Sequence, residues 1–119
     1  MKIAIIIAGF IRSFDHIINQ FQKNVLQNYD IDIYIHKSNN EKQDKYNNKN
    51  NWENIKKILD PKCIIESKDV FFSENKKINN IMNQFYKFYI LNEMKKTIEK
   101  EENINYDFVI KWRPDILLY

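Results

Sequence analysis

The feature that most constrains the fold is an apolar run near the start of the chain. Residues 2–8 read KIAIIIA, and Gly9 follows them. The run is apolar at consecutive rather than alternate positions, so a strand formed from it would be buried on both faces. Central strands of parallel sheets have this property, because helices cover both faces of such sheets. The run therefore predicts a central parallel strand, and it is much shorter than the ~18 apolar residues of a membrane span.

The next segments continue with a helix pattern and a second strand pattern. After Ser13, which can serve as an N-cap, apolar residues recur at helical spacing and predict a helix to about Asn28. Residues 31–36 alternate between apolar and polar and predict a strand. Residues 37–51 are rich in Asn and Lys and have no apolar period, which predicts a flexible loop.

The middle of the chain repeats this alternation in shorter elements. Residues 52–59 predict a short helix that Pro61 ends, because proline cannot continue the backbone hydrogen bonding. Residues 63–66 predict a brief strand. The pattern assigns no state to the apolar patch at residues 70–72.

The second half is dominated by one long helix pattern. Residues 78–98 carry apolar side chains three or four positions apart, which predicts a helix of roughly 22–26 residues. Tyr86, Tyr89 and Ile90 widen its apolar face and predict burial on more than one side. Residues 106–111 then predict a last strand. Strands alternating with helices predict a single α/β domain over residues 1–119 with a Rossmann-like, mainly parallel sheet and right-handed crossovers.

Composition excludes several classes of site. A single glycine excludes the multi-glycine phosphate loops, and the single Cys63 excludes a disulfide framework and a multi-cysteine zinc site. The net charge is +3, and it comes from 17 Lys scattered among Asn and Glu beside only two Arg. Because no basic cluster is interleaved with aromatic residues, the charge predicts a solvated surface rather than nucleic-acid binding.

An open parallel sheet binds its ligand beyond the carboxyl ends of its strands, which selects candidate positions before any motif is considered. Both arginines of the chain, Arg12 and Arg113, fall at this edge. Arginine can bind phosphate through two parallel hydrogen bonds, which lysine cannot do. The candidate positions at the edge are Ala8, Gly9, Arg12, Ser13, His36, residues 66–68, Arg113 and Asp115.

Each candidate also has a purely structural interpretation. Gly9 can be a turn glycine, and Arg12 can pair with a surface carboxylate as readily as with phosphate. His36 fits a hydrogen-bonded residue at a strand end better than a catalytic base. Asp115 can form a turn with Pro114 as readily as bind a metal or a sugar.

Three further groups have interpretations unrelated to a site. The aromatic residues of the long helix, including Phe85 and Phe88, fit a core better than a stacking platform. Asp32 is expected to face solvent, and Cys63 in an apolar strand is expected to be inert. Neither a nucleophile paired with a base nor a pair of carboxylates at glycosidase spacing is visible in the sequence.

Four blocks together resemble small glycosyltransferase-like proteins of bacterial polysaccharide loci and large DNA viruses. The opening KIAIIIAGFIRSF is similar to the family's first strand and its G-x-x-R-S-F turn. Residues 32–36 (DIYIH) resemble its second strand. Residues 83–96, with NQFYKFY and NEMKK, resemble its long-helix signature, and residues 106–116 (YDFVIKWRPDI) resemble its last block. The blocks occur in family order and span nearly the whole chain.

The resemblance implies a GT-A-type half that binds a nucleoside-diphosphate sugar with Mg²⁺ or Mn²⁺. Gly9, Arg12 and Ser13 match the family's nucleotide-side loop, and Gln84 is implied as a contact on the substrate side of the long helix. In the D-x-D motif of GT-A enzymes, the last acid corresponds to Asp115, which is therefore the implied metal ligand. An arginine, Arg113, stands where the first acid would be, so it can pair with phosphate in place of part of the metal's charge.

The implied reaction is glycosyl transfer to a carbohydrate acceptor in polysaccharide biosynthesis. The chain ends four residues after Asp115, whereas GT-A enzymes continue for about as many residues again; the sequence is therefore expected to be a fragment, a truncated product or a half without catalysis. Two alternatives stay open, namely an α/β interaction or oligomerisation module and a nucleotide-binding regulator on a flavodoxin-like sheet. A homo-oligomer joined through the last strand is also expected. Without a leader pattern, the expected location is cytoplasmic.

Overall fold

A computed structural model describes residues 1–9, 18–38 and 49–112, and these fold around a four-stranded sheet in which all neighbouring strands are parallel. The spatial order is β3-β2-β1-β4, so the apolar first strand lies inside the sheet, as the sequence predicts. The strands are β1 (Lys2–Gly9), β2 (Asp30–Ser38), β3 (Cys63–Ser67) and β4 (Phe108–Trp112). The α/β class with a parallel sheet and flanking helices is thereby confirmed.

Helices cover both faces of this sheet. The helices are α1 (Ile18–Phe21), which continues as a π-helical turn (Gln22–Leu26), α2 (Lys49–Leu59) and α3 (Lys76–Glu102). Alternate side chains of β1 explain the two layers, since Ile3, Ile5 and Ile7 pack with residues of α1 and α2. Ala4 and Ile6 pack on the opposite face, with Leu91 of α3. The consecutive apolar residues of β1 therefore serve two separate cores.

Several boundaries differ from those predicted. β2 extends to Ser38 and α2 begins at Lys49, so the predicted 37–51 loop is wrong at both ends. The rest of that loop lies outside the described residues, as does Ser13, the predicted start of the first helix. β4 includes Trp112, which is buried with its ring 4.9 Å from that of Phe21.

The long helix is present, and Leu91 is buried with Phe88 and Ile98 packed beside it, but the prediction of burial on more than one side is wrong. The residues that α3 buries are Asn83, Lys87, Leu91 and Lys95, of which three are polar. Phe85 and Tyr89 are 69% and 63% exposed. Asn83 and Lys87 face the protein because they bond to the segment before the helix, as described below, whereas Lys95 pairs with Glu99 of the same helix.

Asp32 also differs from its predicted solvent-facing position. Its carboxylate is half-buried beneath Tyr106, whose hydroxyl donates a 2.6 Å hydrogen bond to Oδ2. The hydroxyls of Tyr106 and Tyr34 are 2.7 Å apart, which links β2 to the segment before β4.

Within the described ranges, no helix combines the length and apolar character needed to cross a membrane.

Candidate functional site

The carboxyl edge of the sheet contains the point at which the strand order reverses. From β1 the chain proceeds through β2 to β3 on one side, and β4 then lies on the other side of β1. Ile7 and Trp112 are partners in the parallel register of β1 and β4. The carboxyl ends of these two strands therefore lie side by side, about 5 Å apart, as neighbouring strands do. Such a reversal is where open α/β sheets bind ligands.

The end of β1 is tied to the long helix by Gln84. Its Nε2 donates a 3.2 Å hydrogen bond to the carbonyl oxygen of Ala8, one residue before the end of the strand. Ala8 itself is buried. The bond brings together two residues predicted for the site, and it fixes the level of α3 relative to this edge. Gly9, the last residue of β1, lies next to the bond in sequence.

His36 occupies the corresponding position on β2, with a partner at each ring nitrogen. Its register partner on β1 is Ala8, and its side chain is only 1% exposed. Nε2 lies 2.6 Å from the Ser67 Oγ, and Nδ1 lies 3.3 Å from the backbone oxygen of Lys87. A carbonyl only accepts, so Nδ1 carries a proton and donates it, while Nε2 of the neutral ring accepts from Ser67.

Burial is the main electrostatic influence on this histidine. Desolvation lowers the pKa of His36 below its ordinary value, and the nearby positive charge of Lys87 lowers it further. The hydrogen bond to the Lys87 carbonyl opposes both effects. His36 is therefore neutral at pH 7, with Nε2 available as an acceptor toward the Ser67 hydroxyl.

The loop between β3 and α3 is fastened to α3 by polar side chains. The ammonium of Lys87, a residue only 4% exposed, makes a short ion pair with Asp69. The Asn83 amide accepts from Val70 N at 2.8 Å and donates to Val70 O at 2.9 Å. Asn79 Oδ1 accepts from the amides of residues 72 and 73. These bonds hold the chain immediately after β3 in a defined position at the edge.

Four of the predicted site residues lie outside the described part of the chain. These residues are Arg12, Ser13, Arg113 and Asp115. They follow β1 and β4 closely in sequence, whereas Ala8, Gly9, His36 and Gln84 are described and share the carboxyl edge. The contacts of the four residues outside the described part with a ligand therefore remain predictions.

The predicted metal site also depends on a residue outside the described part of the chain. Within residues 1–9, 18–38 and 49–112, no three His, Cys, Asp or Glu side chains come together as a metal-binding group. Asp69, in the loop that follows β3, is engaged with Lys87. Asp115, the implied metal ligand, lies outside these residues, so a metal at this edge remains a prediction.

The sequence predicts that Ser67 lies at the edge, but it does not predict the hydrogen bond between Ser67 and His36. The two lie 31 positions apart, and only the parallel pairing of β2 with β3 brings them together. Asn83 and Lys87 were missed because an Asn or Lys in this composition is typical of a solvated surface. The one available signal was their spacing, since Asn75, Asn79, Asn83 and Lys87 recur every four residues on one helix face.

Comparison with protein-family models, with curated proteins and with solved structures gives no match to this chain.

Proposed function

We propose that this chain is a glycosyltransferase-like domain that binds a nucleoside-diphosphate sugar at the carboxyl edge of a Rossmann-like sheet. The observation that supports the proposal is the pairing of Ile7 with Trp112 at the reversal of strand order. The two segments that leave this point contain Arg12 and Arg113, the only arginines of the chain. Two guanidinium groups beside one another suit a diphosphate, because each can bind two phosphate oxygens.

Each element of the edge has a proposed task. Arg12, with Gly9 and Ser13, holds the diphosphate at the end of β1, where a glycine permits close approach of the backbone. Arg113 neutralises the leaving phosphate, and Asp115 would hold Mg²⁺ or Mn²⁺, which would add positive charge to stabilise the leaving diphosphate. The bond from Gln84 to Ala8 keeps the end of β1 in place. In the complete reaction the sugar passes to a carbohydrate acceptor.

Calorimetric titration with UDP, GDP and their sugars, with and without Mn²⁺, tests the proposal. Replacement of Arg12 or Arg113 by Ala is expected to weaken binding roughly 10–100-fold, because a hydrogen bond to a charged group contributes about 1.5–3 kcal/mol. Lys23→Ala is the matched control, since it removes one exposed positive charge from the π-helical turn. Absence of binding at millimolar concentration, or equal effects of the three substitutions, would overturn the proposal.

A separate pair of variants tests the metal. Asp115→Asn is expected to abolish the enhancement of binding by Mn²⁺ while leaving binding without metal nearly unchanged. Glu101→Asn, which removes an exposed carboxylate at the end of α3, should preserve the enhancement. If both variants respond to Mn²⁺ like the original chain, Asp115 is not the ligand.

A second candidate function is a non-catalytic interaction module. The exposed apolar face of α3 favours it, because soluble monomers rarely leave an apolar patch of this kind uncovered. One inexpensive measurement distinguishes the two candidate functions, namely the midpoint of thermal unfolding in the presence of each nucleotide sugar. A midpoint that no nucleotide raises, together with concentration-dependent association, would favour the module.

A further inference from the structure

The fold brings together a serine and a histidine that lie 31 positions apart in the sequence. Ser67 is the last residue of β3, and its Oγ lies 2.6 Å from Nε2 of His36 on β2. The other ring nitrogen, Nδ1, lies 3.3 Å from the backbone oxygen of Lys87. Because that carbonyl only accepts, it keeps the proton on Nδ1 and leaves the lone pair of Nε2 directed at the serine hydroxyl. A hydroxyl, a neutral base and a group that orients the base are the three parts of an activated nucleophile.

The exposure of the two residues suits these roles. His36 is only 1% exposed, so bulk water does not compete for Nε2, whereas Ser67 is half-buried at the carboxyl end of its strand. Its hydroxyl therefore lies at the edge where open α/β sheets bind their ligands. Lys87 supports both sides of the pair, because its carbonyl orients the imidazole and its ammonium pairs with Asp69, two residues after the serine. The serine is thus held in a defined position by the elements around it.

We propose that Ser67 is a nucleophile for acyl transfer, with His36 as its general base, and that the pair hydrolyses carboxylic esters of phenols and other acidic alcohols. Oγ attacks the ester carbonyl carbon while its proton moves to Nε2. The tetrahedral intermediate then expels the alcohol oxygen, which takes the proton from Nε2 and leaves an acyl ester on Ser67. Water attacks this ester and gives a proton to Nε2, and the acid departs as Oγ regains that proton. Water is the only co-reactant.

The environment of His36 selects esters with good leaving groups over amides. The group at Nδ1 is a neutral carbonyl rather than a carboxylate, so no anion on that side stabilises the imidazolium that forms as the proton moves. Burial and the charge of Lys87 lower the pKa of His36 and disfavour the same cation. An acidic alcohol can depart with little help from a proton, whereas an amine must be protonated to leave. The expected substrates are therefore reactive esters.

Covalent labelling with an alkyl fluorophosphonate tests the nucleophile directly. Oγ forms a bond to phosphorus and fluoride leaves, so the product records which serine reacted. We expect one adduct in the intact mass, mapped to Ser67, and no adduct in Ser67→Ala. Ser73→Ala is the matched control, because it removes another hydroxyl from the same loop, one that accepts from the Asn75 amide, and it should be labelled like the original chain. Absence of an adduct at millimolar reagent, or an adduct that persists in Ser67→Ala, would overturn the proposal.

His36→Asn tests the base, since it keeps a donor for the Lys87 carbonyl but removes the basic nitrogen. Labelling of Ser67 and hydrolysis of p-nitrophenyl acetate should both slow about 100-fold or more, because that is the contribution of a positioned general base. Rates equal to those of the original chain would overturn the role of His36. Circular dichroism checks the folding of each variant, and Ser67→Ala, which removes a single hydroxyl, keeps the test decisive if His36→Asn unfolds. Labelling needs no nucleotide, so its outcome is independent of the nucleotide-sugar titration.

Discussion

His36 on β2 accepts a hydrogen bond from the Ser67 hydroxyl on β3, with 2.6 Å between Nε2 and Oγ. The orientation of the ring is fixed from the other side by the Lys87 carbonyl of α3. One buried imidazole therefore joins two strands and the long helix at the carboxyl edge of the sheet. Because the ring is buried and hydrogen-bonded while neutral, the stability of this edge depends on the protonation of His36.

The first prediction concerns the pH dependence of unfolding. The folded-state pKa of His36 is below 6.5, so the unfolded chain binds the proton first as the pH falls. The free energy of unfolding should therefore be fully retained above about pH 6.5 and decrease below it, by at most ~1.4 kcal/mol per pH unit, until the folded-state pKa is reached.

His36→Asn is the variant for this measurement, because it keeps a donor for the Lys87 carbonyl but does not titrate. Urea unfolding between pH 5 and 8 should give a smaller decrease for the variant than for the original chain. His16 is present in both proteins and contributes equally to the comparison. Identical slopes for the two proteins would show that His36 does not have a depressed pKa.

The second prediction concerns the Tyr106 hydroxyl, which bonds Asp32 and lies 2.7 Å from the Tyr34 hydroxyl. Desolvation and the hydrogen bond to the carboxylate raise the pKa of Tyr106, so the phenol stays protonated and donates. Tyr106→Phe should lower the free energy of unfolding by about 1.5–3 kcal/mol, because a half-buried carboxylate loses its donor. Tyr89→Phe, on an exposed residue, should change it by less than about 0.5 kcal/mol. Urea denaturation at pH 7 compares the two.

The sheet could be predicted from sequence because the signals for it are local. The consecutive apolar residues of β1 required cover on two faces, and the alternation of strands with helices implied parallel pairing. The outward face of α3 could not be predicted, because helical spacing shows that apolar residues share a face and not what covers that face. The burial of Asn83 and Lys87 could not be predicted either, because it depends on the path of the segment before the helix.

The third prediction compares a buried ion pair with an exposed one on the same helix. Asp69→Ala leaves the buried Lys87 ammonium without this carboxylate and should cost about 3 kcal/mol of unfolding free energy. Glu93→Ala removes the partner of Lys96, whose 3.5 Å pair is exposed, and should cost no more than about 0.5 kcal/mol. Equal costs in thermal or urea unfolding would show that the burial of Lys87 has no energetic consequence.

The fourth prediction concerns local opening of the segment that Asn83 fastens. The Val70 amide is bonded to Asn83 Oδ1 rather than to a neighbouring strand, so its protection from exchange depends on one side chain. Asn83→Ala should increase hydrogen exchange at Val70 by at least tenfold, because the bond is lost and the loop opens without global unfolding. The Ile5 amide, in the central strand, should exchange as before. Asn80→Ala, an exposed substitution on the same helix, is the matched control, and an equal acceleration at Val70 in both variants would assign its protection to α3 as a whole rather than to Asn83.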